Sequence, residues 1–499
     1  YFCAMNANIV IENRDLSLED IISIWKSKKP INLADVLWQN VSESRTVLEK
    51  LLSIGGNSIY GINTGFGSLC NTVIPEFELD QLQYNLVRSH ACGTGNYISK
   101  ESSRLVLLLK IISLSKGNSC IRSETLKFLI KLYNEDIIPA IPEMGSLGAS
   151  GDLAPLAHLS LPILGEGSVW KNNSIISTTD FVKNGFLETP GLKAKEGLAL
   201  LNGTQYSLAL LIDACNQSIE LIKQANYVAS LSMEAYDVCL DFLNPEIHEL
   251  RKQTGQIQIA KNLLNILSGT FLDKRAKNAV QDPYSFRCIP QVHGATLDTI
   301  NFVIDIIQKE INAVTDNPVL LSDSTIKSGG NFHAQPLALC ADFLSIAMAE
   351  IGSISERRLY KLIDGNRELP EFLTENPGLN SGFMIVQYSA AALVSINKQY
   401  ATPSSVDSIV TSKGQEDHVS MAANAGIKCL KIISHIRQIL TMEWMTATRA
   451  WNFRNKWELG PELKQIVEEY RTIIPYKKDD HIPSDDYKPT LDFLSNKIK

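Results

Sequence analysis

The chain has 499 residues, 44% hydrophobic and 20% charged, enough apolar material for a large buried core. A formal net charge of −7, with both signs interspersed, argues against a nucleic-acid partner, which favours a basic patch. Nine scattered cysteines with no Cys-x-x-Cys pair argue against a disulfide scaffold and point to a reducing compartment.

Length alone suggests about three domains, although one extended helical assembly can absorb much of it. Tyr1-Phe2-Cys3-Ala4 ahead of Met5 is expected to be a remnant outside the natural chain, and no basic segment precedes an apolar one as a signal peptide requires. The most apolar runs are interrupted, 105–112 by Lys110 and 343–354 by Glu350, and neither approaches the ~18 uninterrupted residues of a membrane span. A soluble, cytoplasmic protein is the expectation.

In chain order, 17–54 reads as helices, with Ser17 as a cap and Asn32-Leu33-Ala34-Asp35 opening a second one. Residues 59–68, Ile-Tyr-Gly-Ile-Asn-Thr-Gly-Phe-Gly-Ser, form a loop in which Tyr60 by residue type alone is a half-buried anchor. A helix over 82–90 ends at Gly93 and Gly95. The apolar spacing over 104–135 is helical until Pro139 and Pro142 break it. The polar stretch after Gly165-Glu166-Gly167 reads as short strands or loops. The segment 196–205 then leads into a long helix through Tyr236. Further long helices follow: Leu297, Ile300, Ile304, Ile307 and Ile311 keep three-to-four spacing, and 336–363 and 420–449 are apolar on most faces.

Residues 145–158 (Gly-Ser-Leu-Gly-Ala-Ser-Gly-Asp-Leu-Ala-Pro-Leu-Ala-His) hold three glycines within seven positions, so little side-chain bulk obstructs the backbone. There the amide nitrogen of Gly151 can attack the carbonyl carbon of Ala149 and close a five-membered ring with loss of water. Loss of the Ser150 hydroxyl as a second water leaves an exocyclic methylene, an electrophile no unmodified side chain supplies. Ala-Ser-Gly alone is a weak signal, since about 0.2 occurrences arise by chance in such a chain. Its plain alternative is a loop entering a helix, with Asp152 as a first-turn acid.

The full run resembles, at nearly every position, the cofactor-forming segment of the histidine and aromatic amino acid ammonia-lyase family, and the resemblance extends through most of the chain. It implies a mainly α fold, with an N-terminal cofactor-bearing domain over 5–204 and a long-helix bundle over 205–499. It also implies a methylidene-imidazolone formed from Ala149, Ser150 and Gly151 with no external cofactor, a small amino acid substrate and a homotetramer, while charge and the interrupted apolar runs lead to no nucleic-acid and no membrane partner being expected. Tyr60 then becomes the base that removes a substrate β-proton. That role requires neighbouring cations or donors to lower its pKa from ~10, and Arg287 is the nominee for part of that environment.

Asn202 is implied to lie against the cofactor and the substrate's amino-acid portion, although by type it is a turn residue. Within Gln281-Asp282-Pro283-Tyr284-Ser285-Phe286-Arg287, Gln281 is implied to bind substrate. Tyr284 is a second active-site phenol there, and Arg287 is the partner of the substrate carboxylate, which its planar fork matches. Phe332, in Ser328-Gly329-Gly330-Asn331-Phe332-His333, is implied to contact the substrate ring. Glu310-Ile311-Asn312 and Thr315-Asp316-Asn317-Pro318 match the family as well.

Ser89-His90 resembles the selectivity pair of the histidine-specific branch, a pair some tyrosine-acting relatives share. Gln415-Glu416-Asp417-His418 is the run typical of the histidine enzymes. A carboxylate at Glu416 suits imidazole, which donates N–H bonds, and suits phenyl poorly. The plain reading of this acidic pair is a helix N-terminus, with Asp417 in that place. Gly414 stands where the histidine branch usually has Asn, and Ile289 and His293 depart from that branch toward the aromatic lyases. These departures bear on substrate rather than reaction class.

The reaction expected is elimination of ammonia from histidine. A tyrosine-acting lyase or an aminomutase with the same cofactor is the alternative, and an inactive helical scaffold a third reading. No metal site is expected: Asp479-Asp480-His481 stands without His-Glu-x-x-His or paired cysteines.

Overall fold

The computed structural model describes residues 8–54, 58–185, 187–275, 279–454 and 456–498. The remnant expected at 1–4 and Met5 lie outside the described residues. Among those described are eighteen α-helices and nine strands of only two to four residues, so the chain is mainly α. It groups into two compact units, each assembled from separated stretches. The first takes Tyr1–Asp213, Ile304–Ala341 and Pro403–Ile427, the second Ala214–Val303, Asp342–Thr402 and Lys428–Lys499. The expected N-terminal span 5–204 falls inside the first unit, and the span 205–499 contributes to both.

In the first unit, Ile9–Ile11 pairs in parallel with Ile31–Leu33. The helix Leu18–Ser27 starts at a capping box in which Ser17 and Asp20 satisfy each other's backbone N–H. The periodicity over 104–135 predicts one helical stretch, but the structure has two helices, Lys100–Ser115 and Ser123–Asn134. The interruption lies at Gly117, whose φ is +89° and where a Cβ would meet the Asn40 carbonyl oxygen at 2.8 Å. Close approach to the helix Asp35–Ile54 forces that turn. Beyond the prolines, Ser168–Lys171 and Ser174–Ser177 form a hairpin turning on Asn172 and Asn173, both at positive φ. Three helices, Leu79–His90, Leu153–Ser160 and Glu196–Leu201, pack on one another and hold the candidate site.

The second unit includes residues 214–236 of the helix Gln205–Tyr236, 289–303 of Ile289–Ile311, 342–363 of Gln335–Ile363, and the helix Met384–Tyr400. Its core holds a fully buried bidentate pair, with Arg358 donating to Glu443 at 2.6 and 2.8 Å. His293 is fully buried there, its Nδ1 2.8 Å from the Asn226 side-chain oxygen, and burial pushes its pKa well below the usual value. This departure from the histidine branch is therefore a neutral core residue.

Glu350 does break the apolar run at 343–354, yet the helix Gln335–Ile363 is long and apolar enough by length and composition to cross a membrane. Since 56% of its most apolar window is buried within the protein, it has the profile of a core helix. Phe302, Phe343 and Ile346 are 43–48% exposed on this unit, the two rings 6.2 Å apart.

Candidate active site

Gly145, Gly148 and Gly151 all have positive φ, and at the last two only glycine fits. A Cβ on Gly148 would lie 2.1 Å from Ser420 Oγ, and one on Gly151 2.2 Å from the Gly203 carbonyl oxygen. Gly151 bridges Gly203 in strand fashion, and the Asp152 N–H donates to Gly203 O at 2.8 Å. From the other side the Met421 N–H donates to Leu147 O at 2.9 Å. Asp152 precedes the helix Leu153–Ser160 without capping it. Its carboxylate turns inward, accepting from Ser146 Oγ at 2.9 Å and from Ser207 Oγ and N–H at 2.8 Å each. Burial raises its pKa and these donors oppose the rise. The plain reading of Asp152 as a first-turn acid thus gives way to a buried clamp on the loop.

Ser150 stands between two side chains. Its Oγ donates to Glu416 Oε1 at 2.8 Å, and its carbonyl accepts from Asn202 Nδ2 at 3.0 Å. Thr411 Oγ1 donates to the other Glu416 oxygen at 2.8 Å. The side-chain oxygen of Asn202 is buried with no partner in the protein. Thr411 is a site residue that sequence reasoning missed; only its bridge to Glu416 across the tight turn at Ser412–Gly414 reveals it. The helix after this loop begins at Ala422, so exposed Asp417 does not sit at its first turn.

A cavity of about 550 Å³ within the first unit is lined by Tyr60, Ser89, His90, Ser150, Asn202 and Glu416, with Phe66, Leu82, Leu86, Leu153 and Leu198 among its apolar walls. His90 Nδ1 lies 2.8 Å from the Leu86 carbonyl. A carbonyl only accepts, so Nδ1 carries the proton. Burial lowers the His90 pKa, against the hydrogen bond to Leu86 and the charge of Glu416. The ring is thus neutral, and its Nε2 is an acceptor.

Tyr60 accepts from the Gly67 N–H at 3.2 Å. Burial raises its pKa, the Gly67 hydrogen bond lowers it, and Cys70 and Glu416 add to the rise. Among the described residues, no arginine or lysine lines this cavity. The arginine nominated to tune Tyr60 stands elsewhere: Gln281, Tyr284 and Arg287 line a second cavity, within the second unit, together with Asp282 and Gln291. There the Arg287 guanidinium lies 4.7 Å from the centre of the Tyr284 ring, and its Nε is buried without a partner. Phe332 is half-buried in the first unit and is not among the residues lining the Tyr60 cavity. Its neighbour His333 packs on His418, with Nε2 and Nδ1 3.1 Å apart.

Residues 16–472 match the profile of the family described as aromatic amino acid lyase. The chain belongs to that family. It is 43% identical to a histidine ammonia-lyase of Shewanella woodyi over 98% of this chain and 96% of that one. Among solved structures, the histidine ammonia-lyase of Trypanosoma cruzi is 35% identical, with a TM-score of 0.90 over 98% of this chain and 94% of that one. The tyrosine aminomutase of Streptomyces globisporus is 31% identical, with a TM-score of 0.93 over 98% and 97%. The fold described above is that of these relatives, and the chain is an ammonia-lyase by family.

The residues present fit the internal electrophile. A loop held open by glycines whose Cβ atoms would clash, a serine hydroxyl on a carboxyl group and its carbonyl on an amide donor are what cyclisation and dehydration need.

Proposed function

We propose that the protein eliminates ammonia from L-histidine to give trans-urocanate, using a methylidene-imidazolone formed from its own Ala149, Ser150 and Gly151. The observation that carries this reading is Ser150 held between Glu416 and Asn202 in the cavity that also holds Tyr60 and His90. Once formed, the group supplies an electron-poor carbon that no ordinary side chain offers.

The chain's own residues do the rest. Glu416 Oε1 binds the Ser150 hydroxyl before it is lost and is left open afterwards, free to accept an imidazole N–H. His90 Nε2 is an alternative acceptor for that N–H. Asn202, whose buried side-chain oxygen has no partner in the protein, is the proposed acceptor for an N–H of the substrate amine. Tyr60 removes the β-proton as its phenolate; the family resemblance assigns Tyr284 as the second phenol, Gln281 and Arg287 to the amino-acid end and Phe332 to the ring, although none of these four lines the Tyr60 cavity. The raised Tyr60 pKa requires a cation that the described lining of its cavity does not supply, and Arg287 is the candidate by family resemblance alone.

By this reading 5–204 is the cofactor-bearing domain and 205–499 the helix bundle, in a cytoplasmic homotetramer. The exposed apolar side chains Phe302, Phe343 and Ile346 support self-association. A second reading, tyrosine as substrate for a lyase or aminomutase, has support in the same His90 acceptor, which suits a phenolic O–H, and in the likeness to the tyrosine aminomutase.

The deciding experiment incubates the purified protein with histidine, tyrosine and phenylalanine in turn. Growth of urocanate absorbance with histidine is expected. Coumarate from tyrosine without urocanate from histidine hands the site to the second reading.

A further inference from the structure

Lys110 interrupts the apolar run at 105–112, on a helix whose residues 102–115 are all buried. Its side chain is 1% exposed. An ammonium in such a place is costly unless something in the fold needs it. Its Nζ donates to the main-chain carbonyl of Asn202 at 2.7 Å and reaches Gln205 Oε1 at 3.4 Å.

The dipeptide it touches is the one lying along the reacting loop. Asn202 ends the helix Glu196–Leu201 in an extended conformation, with φ −82° and ψ 139°, and Gly203 follows at φ +125°. Successive carbonyls point opposite ways, as in a strand. The Gly203 oxygen takes the Asp152 N–H, and the Asn202 oxygen takes Lys110. Between them the Asn202 amide reaches the Ser150 carbonyl. Glycine gives this stretch no stiffness of its own, so these two hydrogen bonds fix its path together with those of the Asn202 N–H to Leu198 O at 2.9 Å and the Thr204 N–H to Thr315 Oγ1 at 3.4 Å.

We infer that Lys110 is a positioning residue for formation of the electrophile, acting by holding the Asn202 backbone so that its amide meets the Ser150 carbonyl. This rests on the reading of Ala149, Ser150 and Gly151 as the electrophile's precursor. The setting agrees: burial pushes the Lys110 pKa down to about 7, Asp316 and Asp152 oppose that fall, and Lys195 adds to it. Lys195 is itself paired with Asp316 at 2.6 Å. A methionine at 110 would leave the Asn202 oxygen buried without its donor.

The test follows maturation by intact mass, in which each lost water is read directly, beside a melting curve for fold. The variants are Lys110→Met, Lys110→Arg, Asn202→Ala and the double variants. Wild type must lose two waters; if it does not, the proposed function falls before Lys110 is tested. Lys110→Met is expected to mature about tenfold or more slowly, the scale of one lost hydrogen bond to a charged group. It should add little to the defect of Asn202→Ala, because both act at one contact. Lys110→Arg keeps a donor and serves if the methionine variant does not fold; its defect should likewise be absorbed by Asn202→Ala. Wild-type maturation in a folded Lys110→Met, or defects that multiply with Asn202→Ala, would overturn the inference.

Discussion

Glu416 faces two partners in succession on the proposed reading, the Ser150 hydroxyl and then the substrate ring, and two substitutions separate these duties. Ser150→Ala removes the hydroxyl that must leave. It should keep the melting transition and reduce urocanate formation to background, and an active variant would contradict the assignment. Glu416→Ala in protein that has matured should cost histidine turnover about 10- to 100-fold, the range for lost bonds to a charged acceptor. Activity on an aromatic substrate should fall less, and equal losses on both would remove its ring-binding role. Tyr60, His90, Asn202 and Glu416 were all legible as motif residues, and one cavity holds them. Their hydrogen-bond states were not legible. The tautomer of His90 depends on a carbonyl one helical turn away, and the free oxygen of Asn202 on what the fold leaves unpaired. Lys110 was visible only as an interruption, because its acceptor lies 92 residues onward.

Among elements, the parallel contact of Gly151 with Gly203 fixes the reacting loop within the frame of the three helices. Gly151→Ala puts a Cβ within 2.2 Å of the Gly203 oxygen at a φ of +75°. That should cost about 1–3 kcal/mol from backbone strain and prevent the loss of water. Calorimetry and intact mass on the purified variant check both effects, and wild-type melting with two waters lost would show that the contact can yield. Helix positions were readable from apolar spacing through most of the chain, the span ending at Tyr236 to the residue. The break near Gly117 was not, since it comes from the Asn40 backbone packed on it rather than from local propensity.

For the molecule as a whole, the apolar side chains left in water on the second unit call for a covering surface. Phe343→Asp combined with Ile346→Asp should reduce the mass seen by light scattering to that of a smaller assembly, while the chain stays helical by circular dichroism. An unchanged mass would show that these side chains do not carry the proposed self-association. Composition could predict a large core but not which helical faces remain outside it.

The Ser150 hydroxyl finds its carboxyl partner 266 positions later in the chain, and Leu147 is held by Met421. A ribosome adding about 5–20 residues per second needs roughly 13 to 53 seconds to travel from one to the other. The loop therefore cannot take its finished shape on a half-made polypeptide. Any alkylating power that depends on these two contacts is withheld from bystander thiols until Met421 has been synthesised and has folded against the loop.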